Sequence, residues 1–233
     1  MGFDYELDFE EALIKLLKDN GWTGKMLNYP TEAQLIKNWA EILFNNNKGI
    51  DRLNGQPLTD GEMQQILDEI KDLRTPLAIN GFINGKSVSI TRDNPADTLH
   101  FGKEVSLTIY NRLEIASGRT FYQIARQPKF ERHSQILPKR RGDLVLLING
   151  MPVIHVELKS SKMPAMHAVN QITEKYIPEG VFTDSIFSLV QLFVAMNPEE
   201  TMYFANPGID GKFNNAFCFH WADSLNNPIN DWR

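Results

Sequence analysis

The stretch Arg141-Gly142-Asp143-Leu144-Val145-Leu146-Leu147-Ile148-Asn149-Gly150-Met151-Pro152-Val153-Ile154-His155-Val156-Glu157-Leu158-Lys159 sets both the fold class and the chemistry of this chain. Leu144 to Ile148 and Val153 to Leu158 are rich in Val, Ile and Leu, side chains that fit a pleated, half-buried surface. Asn149-Gly150 between them is a strong short-range hairpin signal. Asp143 opens the first run, and Glu157-Leu158-Lys159 closes the second. A hairpin of this kind can place two carboxylates and an ammonium on one surface, which is equipment for holding a divalent metal and hydrolysing a phosphodiester.

Register decides whether the carboxylates meet. A two-residue loop pairs Ile148 with Met151, sets Asp143 across from Val156 and sends Glu157 to the opposite face. A three-residue loop ending in Gly150, with that glycine left-handed as a bulge, pairs Leu147 with Met151. Asp143 then faces His155, with Glu157 a diagonal step away on the same face. The chemistry requires the second arrangement, so a bulged turn is predicted. Glu157 and Lys159 share a face and Leu158 points into the core.

Mg²⁺ takes near-octahedral oxygen ligands and keeps several waters, so one or two carboxylates plus a substrate phosphate suffice. Asp143 and Glu157 are the candidate ligands, with the backbone carbonyl of Leu158 as a further one. Mn²⁺ substitutes at such oxygen sites. A bound metal lowers the pKa of its water, and Lys159 can orient that water or neutralise the scissile phosphate. The plain alternative is that Glu157 and Lys159 are ordinary polar residues on a solvated strand face. Glu69-Ile70-Lys71 repeats the triplet but lies in a helical apolar period, Met63 to Leu73, where its two ends do not share a face.

At these residues the chain resembles the N-terminal nuclease domain of the restriction (R) subunit of type I restriction-modification enzymes, a member of the PD-(D/E)xK nuclease superfamily. The resemblance covers most of the chain. Asp143 through Lys159 reads like that family's Asp, apolar run, Asn-Gly-x-Pro and Glu-Leu-Lys. Asn170-Gln171-Ile172 with Tyr176 is similar to its Gln…Tyr helix, Gln191-Leu192-Phe193-Val194 and Tyr203-Phe204-Ala205-Asn206 to its next strands, and Asp8-Phe9-Glu10 through Leu17 and Gly21-Trp22 to its opening helix. Two departures stand out. Gly142 replaces the superfamily's Pro, a common variation expected to be harmless. Tyr176 follows Gln171 by five residues where the family has four, which leaves its role open.

The resemblance implies an α/β restriction-endonuclease-like core, a central mixed sheet flanked by helices, with an N-terminal helical region. It implies a Mg²⁺-dependent endonuclease domain that hydrolyses double-stranded, unmodified foreign DNA in the cytoplasm. Glu10 would be a third carboxylate toward the metal, with Gln171 and Tyr176 supporting the site. ATP would serve the full enzyme, whose translocating motor domains, methyltransferase and specificity subunits are the implied partners; this chain binds none of the ATP itself. Residues 1–233 read as a single endonuclease unit, with a helical part at about 1–75, a catalytic core at about 76–206 and a segment 207–233 leading toward the motor. Two rivals are a stand-alone repair or junction nuclease of the same superfamily and a catalytically silent DNA- or subunit-docking module.

The bounds of the chain agree. Its 233 residues, 42% hydrophobic, can bury a sizeable core. One cysteine, Cys218, excludes an internal disulfide framework and suits a reducing cytosol. No apolar run reaches the ~18 residues of a membrane span, and no signal peptide opens the chain. The five histidines are scattered, without a zinc cluster; His155 reads as a half-exposed strand residue. The net charge of −5 argues mildly against a large DNA footprint. Lys139, Arg140 and Arg141 nevertheless abut Asp143, Arg126, Lys129, Arg132 and His133 lie just upstream, and Lys162 follows the triplet. This patch can receive DNA, or be a solvated loop.

Asp8-x-x-Glu11 reads as a capping variant opening a helix that Asn20-Gly21 closes. Glu10 lies at the edge of its apolar stripe, where it is either the implied third carboxylate or an acid favoured by the helix dipole. Thr31…Gln34 and Thr59…Glu62 are capping boxes opening helices to about Asn45 and Leu73, with a loop from Asn45 to Leu58. Gly81-Phe-Ile-Asn-Gly85-Lys86-Ser87 has three residues between its glycines where a P-loop needs four; it reads as a hairpin turn before a strand. Val105–Tyr110, Thr120–Gln127, Val190–Ala195 and Met202–Ala205 are further strand candidates, and 164–176 a helix. Phe217, Phe219 and Trp221 read as core.

Overall fold

The computed structural model describes residues 3–84, 87–109, 120–131, 136–209 and 211–233. Helix α1 (Glu6–Asp19) starts two residues before the expected cap: Tyr5 is its N-cap, without a side-chain bond. Asp8 and Glu6 instead lie in the first turn, where the helix dipole favours acids. The strand β1 (Leu27–Asn28) follows. Thr31 then opens α2 (Glu32–Asn47) and Thr59 opens α3 (Asp60–Lys71), each with a reciprocal capping box to Gln34 or Glu62. The hairpin turn expected at Gly81–Ser87 begins instead inside a helix, α4 (Pro76–Ile83), capped by Thr75 and led by Pro76. Proline is favoured there because the first helical N–H needs no partner. Gly85 and Lys86 lie outside the described residues, as do Tyr110, Arg132 and His133.

Two small antiparallel sheets sit apart from the main one. The first pairs β2 (Ser87–Thr91) with β3 (Glu104–Thr108). The second pairs β5 (Lys129–Phe130), which follows β4 (Tyr122–Arg126), with β6 (Arg140–Arg141). The main sheet has seven strands in the order β1-β4-β7-β8-β9-β10-β11, with β7 (Leu144–Ile148), β8 (Met151–Leu158), β9 (Leu192–Asn197), β10 (Glu200–Ala205) and β11 (Phe219–His220). The β1–β4 and β8–β9 pairs are parallel and the rest antiparallel, so the sheet is mixed, and the α/β architecture expected from the sequence holds. Helix α5 (Met166–Gln171) runs into a π-helical turn, Ile172–Tyr176.

Alternation along β7 divides the core. Leu144 and Leu146 face α1 and meet Phe9, Leu13 and Ile14. Val145 and Leu147 face the other layer, with Trp39 of α2 and Val169 of α5. Each fully buried side chain of this kind contributes roughly 1.5–3 kcal/mol. Phe217, Phe219 and Trp221 are not core: they are 64%, 49% and 54% exposed, at the open edge of the sheet. Among the described residues no helix is long and apolar enough to cross a membrane.

Candidate active site

The hairpin corrects the predicted turn. Ile148 pairs with Met151, so Asn149-Gly150 is a two-residue loop, with φ of 51° and 85° as a type I′ turn requires. The bulge lies further along, in β8. Leu147 pairs with Pro152 and Leu146 with Ile154, which leaves Val153 as the extra residue. Pro152 has no N–H to give the ladder, and prolines within sheets are confined to edges and bulges. One inserted residue moves all later side chains to the other face. Val145 therefore faces His155 and Leu144 faces Val156, so the next pair outward is Asp143 with Glu157. The expected Asp143–His155 pair does not form.

Glu157 is buried and Asp143 half-buried, and both carboxyls are held. Asp143 Oδ2 accepts the Leu158 N–H at 2.7 Å. Glu157 Oε1 accepts from Gln171 and from the Tyr176 hydroxyl, the latter at 3.3 Å. Glu157 Oε2 lies 3.2 Å from His155 Nε2. The Lys159 ammonium donates to the Leu158 carbonyl at 2.9 Å and stands 3.8 Å from Glu157 Oε1 and from Glu6 Oε1. Burial pushes Asp143 up to about 8, and the neighbouring Glu157 charge adds to it. Burial likewise pushes Glu157 up to about 8, against the pull of Lys159. One ammonium does not neutralise two desolvated carboxylates.

The five-residue step from Gln171 to Tyr176 is absorbed by the π-helical turn, whose wider winding aligns positions that an α-helix would offset. Gln171 Nε2 donates to the Tyr176 hydroxyl at 2.5 Å, and the Arg141 carbonyl, 3.0 Å from that hydroxyl, shares its one proton with Glu157 Oε1. Tyr176 thus ties the helix to the strand end that carries Asp143.

His155 is not half-exposed but fully buried. Gly142 is not an indifferent variation either. A Cβ there would lie 2.7 Å from His155 Cε1 and 2.9 Å from Phe130 Cζ. A proline cannot stand at 142 beside this histidine without displacing one of them.

Glu10 is buried, yet its oxygens are bound to Arg126 Nε at 2.6 Å and Gln127 Nε2 at 3.1–3.2 Å. It rides on α1, on the opposite face of the sheet from Glu157, and reaches the site only around the strand ends. There it lines a cleft of about 420 Å³ with Glu6, Arg141, Asp143 and Leu158. Glu6, one helical turn before Glu10, went unnoticed in the sequence because the helix was begun at Asp8. Among the described residues no three His, Cys, Asp or Glu side chains converge as a metal cluster. The available donors are Asp143, Glu157 and the Leu158 carbonyl, an all-oxygen set that fits Mg²⁺ with water completing its shell. A divalent cation would also supply the charge that the two raised carboxyls lack.

Of the basic residues, Arg140 is spent on a bidentate pair with Glu179, at 2.6 and 2.8 Å. Lys162 meets Asp4 at 3.1 Å in an exposed pair away from the cleft. Lys139 and Arg141 line a second cleft of about 870 Å³ with Lys129, Gln171 and Tyr176, and Arg141 borders both clefts.

The chain is 30% identical over 230 residues to the type I restriction enzyme SsaAORF53P endonuclease subunit of Staphylococcus saprophyticus, and 29% over 232 residues to the SauCOLORF180P endonuclease subunit of Staphylococcus aureus. Each alignment covers 99% of this chain but 22% of the relative, so the chain spans about a fifth of their length. The type I restriction enzyme EcoprrI endonuclease subunit of Escherichia coli is 27% identical, over 99% of this chain and 68% of that protein. Residues 5–211 match the model of the type I restriction enzyme R protein N terminus. The chain belongs to that family, as an N-terminal domain of a type I restriction enzyme R protein.

Proposed function

We propose that this chain is the Mg²⁺-dependent nuclease domain of a type I restriction enzyme, cutting both strands of unmodified foreign DNA in the cytoplasm. The observation that carries the reading is the adjacent Asp143–Glu157 pair, Glu157 buried and Asp143 half-buried, both pushed up to about 8, beside the Lys159 ammonium. Asp143, Glu157 and the Leu158 carbonyl would hold the metal, with Mn²⁺ as a substitute. When bound, the ion supplies an activated water and a counter-charge for the pentavalent phosphate. Gln171 and Tyr176 hold Glu157 Oε1 in place. Lys159, anchored on the Leu158 carbonyl, can turn its ammonium to the scissile phosphate or steer the attacking water. Glu10, neutralised by Arg126, shapes the cleft beside Asp143.

The cleft bearing Glu6, Glu10 and Asp143 sets these carboxyls against Arg126 and Arg141, and a bound cation would add positive charge for a phosphate there. The adjoining cleft is basic, and Lys129, Lys139 and Arg141 offer the flanking DNA backbone its counter-charges. Arg140, matched by Glu179, is left out of that set. The net charge of −5 leaves most DNA affinity to the rest of the enzyme: the motor domains of the same subunit, which use ATP to translocate, and the methyltransferase and specificity subunits. The test places Glu157→Ala and Lys159→Ala in the full complex. Cleavage of unmodified DNA should fall at least ~10²-fold while ATP hydrolysis persists. Retained cutting rejects the site.

A further inference from the structure

Glu157 is held at both of its oxygens. Gln171 and Tyr176 take Oε1, and the His155 ring meets Oε2 at 3.2 Å. We infer that His155 is a positioning residue: its Nε2–H fixes the plane in which Glu157 presents its remaining lone pairs to a divalent cation. The inference rests on the metal-site reading above.

The surroundings argue against packing as the purpose of this side chain. His155 sits fully buried in a cage of Phe130, Tyr176, Phe182 and Phe193, with ring centroids 5.3–6.1 Å away. Phe or Leu would fill such a cage without bringing a polar atom into it. Nδ1 has no hydrogen-bond partner among the described residues, so the bond to Glu157 is what the ring gains for its desolvation. A buried nitrogen left unmatched is costly. The chain carries that cost and shapes its backbone around it, for a Cβ at Gly142 would meet Cε1 at 2.7 Å and Nδ1 at 3.3 Å.

The contacts place the ring proton: Nε2 is the ring nitrogen that has an acceptor among the described residues, Glu157 Oε2 at 3.2 Å, so the N–H belongs there. In metal sites a carboxylate commonly orients a ligating histidine through its second nitrogen. Here the roles are exchanged, and a histidine orients a ligating carboxylate.

Gln and Met are near-isosteres that separate positioning from packing. His155→Gln keeps an N–H near the place of Nε2, while His155→Met fills the aromatic cage and keeps none. Mn²⁺ affinity of the chain would be read by electron paramagnetic resonance, and folding by the melting temperature without metal. The expected result is an inverted order. His155→Met melts at or above His155→Gln, yet binds Mn²⁺ about 10- to 100-fold more weakly than the parent, with His155→Gln within about threefold of it. If Met does not fold, His155→Leu takes its place. Parent-like Mn²⁺ affinity in the Met or Leu variant overturns the inference and leaves the metal site standing, as does equal weakening in both variants. No Mn²⁺ binding by the parent defeats the metal-site reading itself.

Discussion

Two pairs of acids in this chain are treated in opposite ways. Glu62 and Asp97 share Arg92, whose guanidinium bonds Glu62 Oε2 at 2.5 Å and Asp97 Oδ2 at 3.0 Å, all three side chains fully buried. Its remaining donor faces the carbonyls of Leu53 and Gln56, and Glu62 Oε1 accepts from Asp93 and caps the turn there. Burial works against the Asp97 charge, but Arg92, Asn54 and His100 outweigh it and hold the carboxyl below its usual range. Glu157 is as deeply buried and Asp143 half-buried; the pair has a single ammonium beside it, 3.8 Å from Glu157, and both acids are pushed up to about 8. A buried acid pair with its counter-charge built in is a structural joint. One left short of positive charge is the kind of pair that a cation from outside would complete.

The largest effect should come from removing the cation at each centre. Arg92→Met strands two acids in the core and should cost about 3–5 kcal/mol, as removal of one partner from a buried ion network does. Lys159→Met leaves acids that are already largely protonated near neutrality, so it should stay within ~1 kcal/mol of the parent. Urea denaturation at pH 7 compares them. Equal losses would mean that Lys159 is the structural partner of its acids, and the contrast would collapse.

The two centres should also give opposite slopes with pH. A folded-state pKa raised above the unfolded value means that the folded chain holds those protons more tightly. The contribution of Asp143 and Glu157 is therefore fully present below the unfolded pKa and is lost as pH rises through about 8. Asp97, lowered by its partners, contributes above its unfolded pKa and loses that contribution as pH falls. The metal-free melting temperature should thus decline from about pH 5 to pH 8. Glu157→Gln should flatten the decline and gain roughly 2 kcal/mol at the upper end. Saturating Mg²⁺ should flatten it in the parent by binding only the folded state. A slope unchanged by either treatment would place its origin elsewhere.

Gly142 gives a smaller and local test. Gly142→Ala should cost about 1–3 kcal/mol as overpacking against His155 and Phe130. In a His155→Ala background that cost should shrink, and the coupling in the double-mutant cycle measures how far the two positions share one space.

Local signals in the sequence were legible and long-range ones were not. The Thr31 and Thr59 capping boxes stand where the sequence placed them, because each closes within one turn of its own helix. Asn149-Gly150 was legible as a turn, but not the site of the bulge. Its signal was Pro152, which cannot complete the ladder opposite Leu147. Helix α4 carried its own signature in Thr75-Pro76, obscured by the glycine pattern that follows. The burial of His155 and the claim of Arg126 on Glu10 join residues from separate strands and helices, and no local pattern reports such a meeting.

Tyr176 separates what spacing shows from what structure adds. Its hydroxyl is a junction among Gln171, Glu157 and the Arg141 carbonyl, reached only because the π-helical turn absorbs one residue. Tyr176→Phe keeps the ring packing against Phe130 and deletes that junction. Its stability cost should be about 1 kcal/mol, the worth of a net hydrogen bond. Its effect on the site should be larger than on the fold, since Glu157 Oε1 loses one of its two donors and the strand end bearing Asp143 loses its tie. Mn²⁺ affinity should drop several-fold while the melting temperature barely moves. If both fall together, then the hydroxyl belongs to the fold, and the site's poise rests on Gln171 and His155.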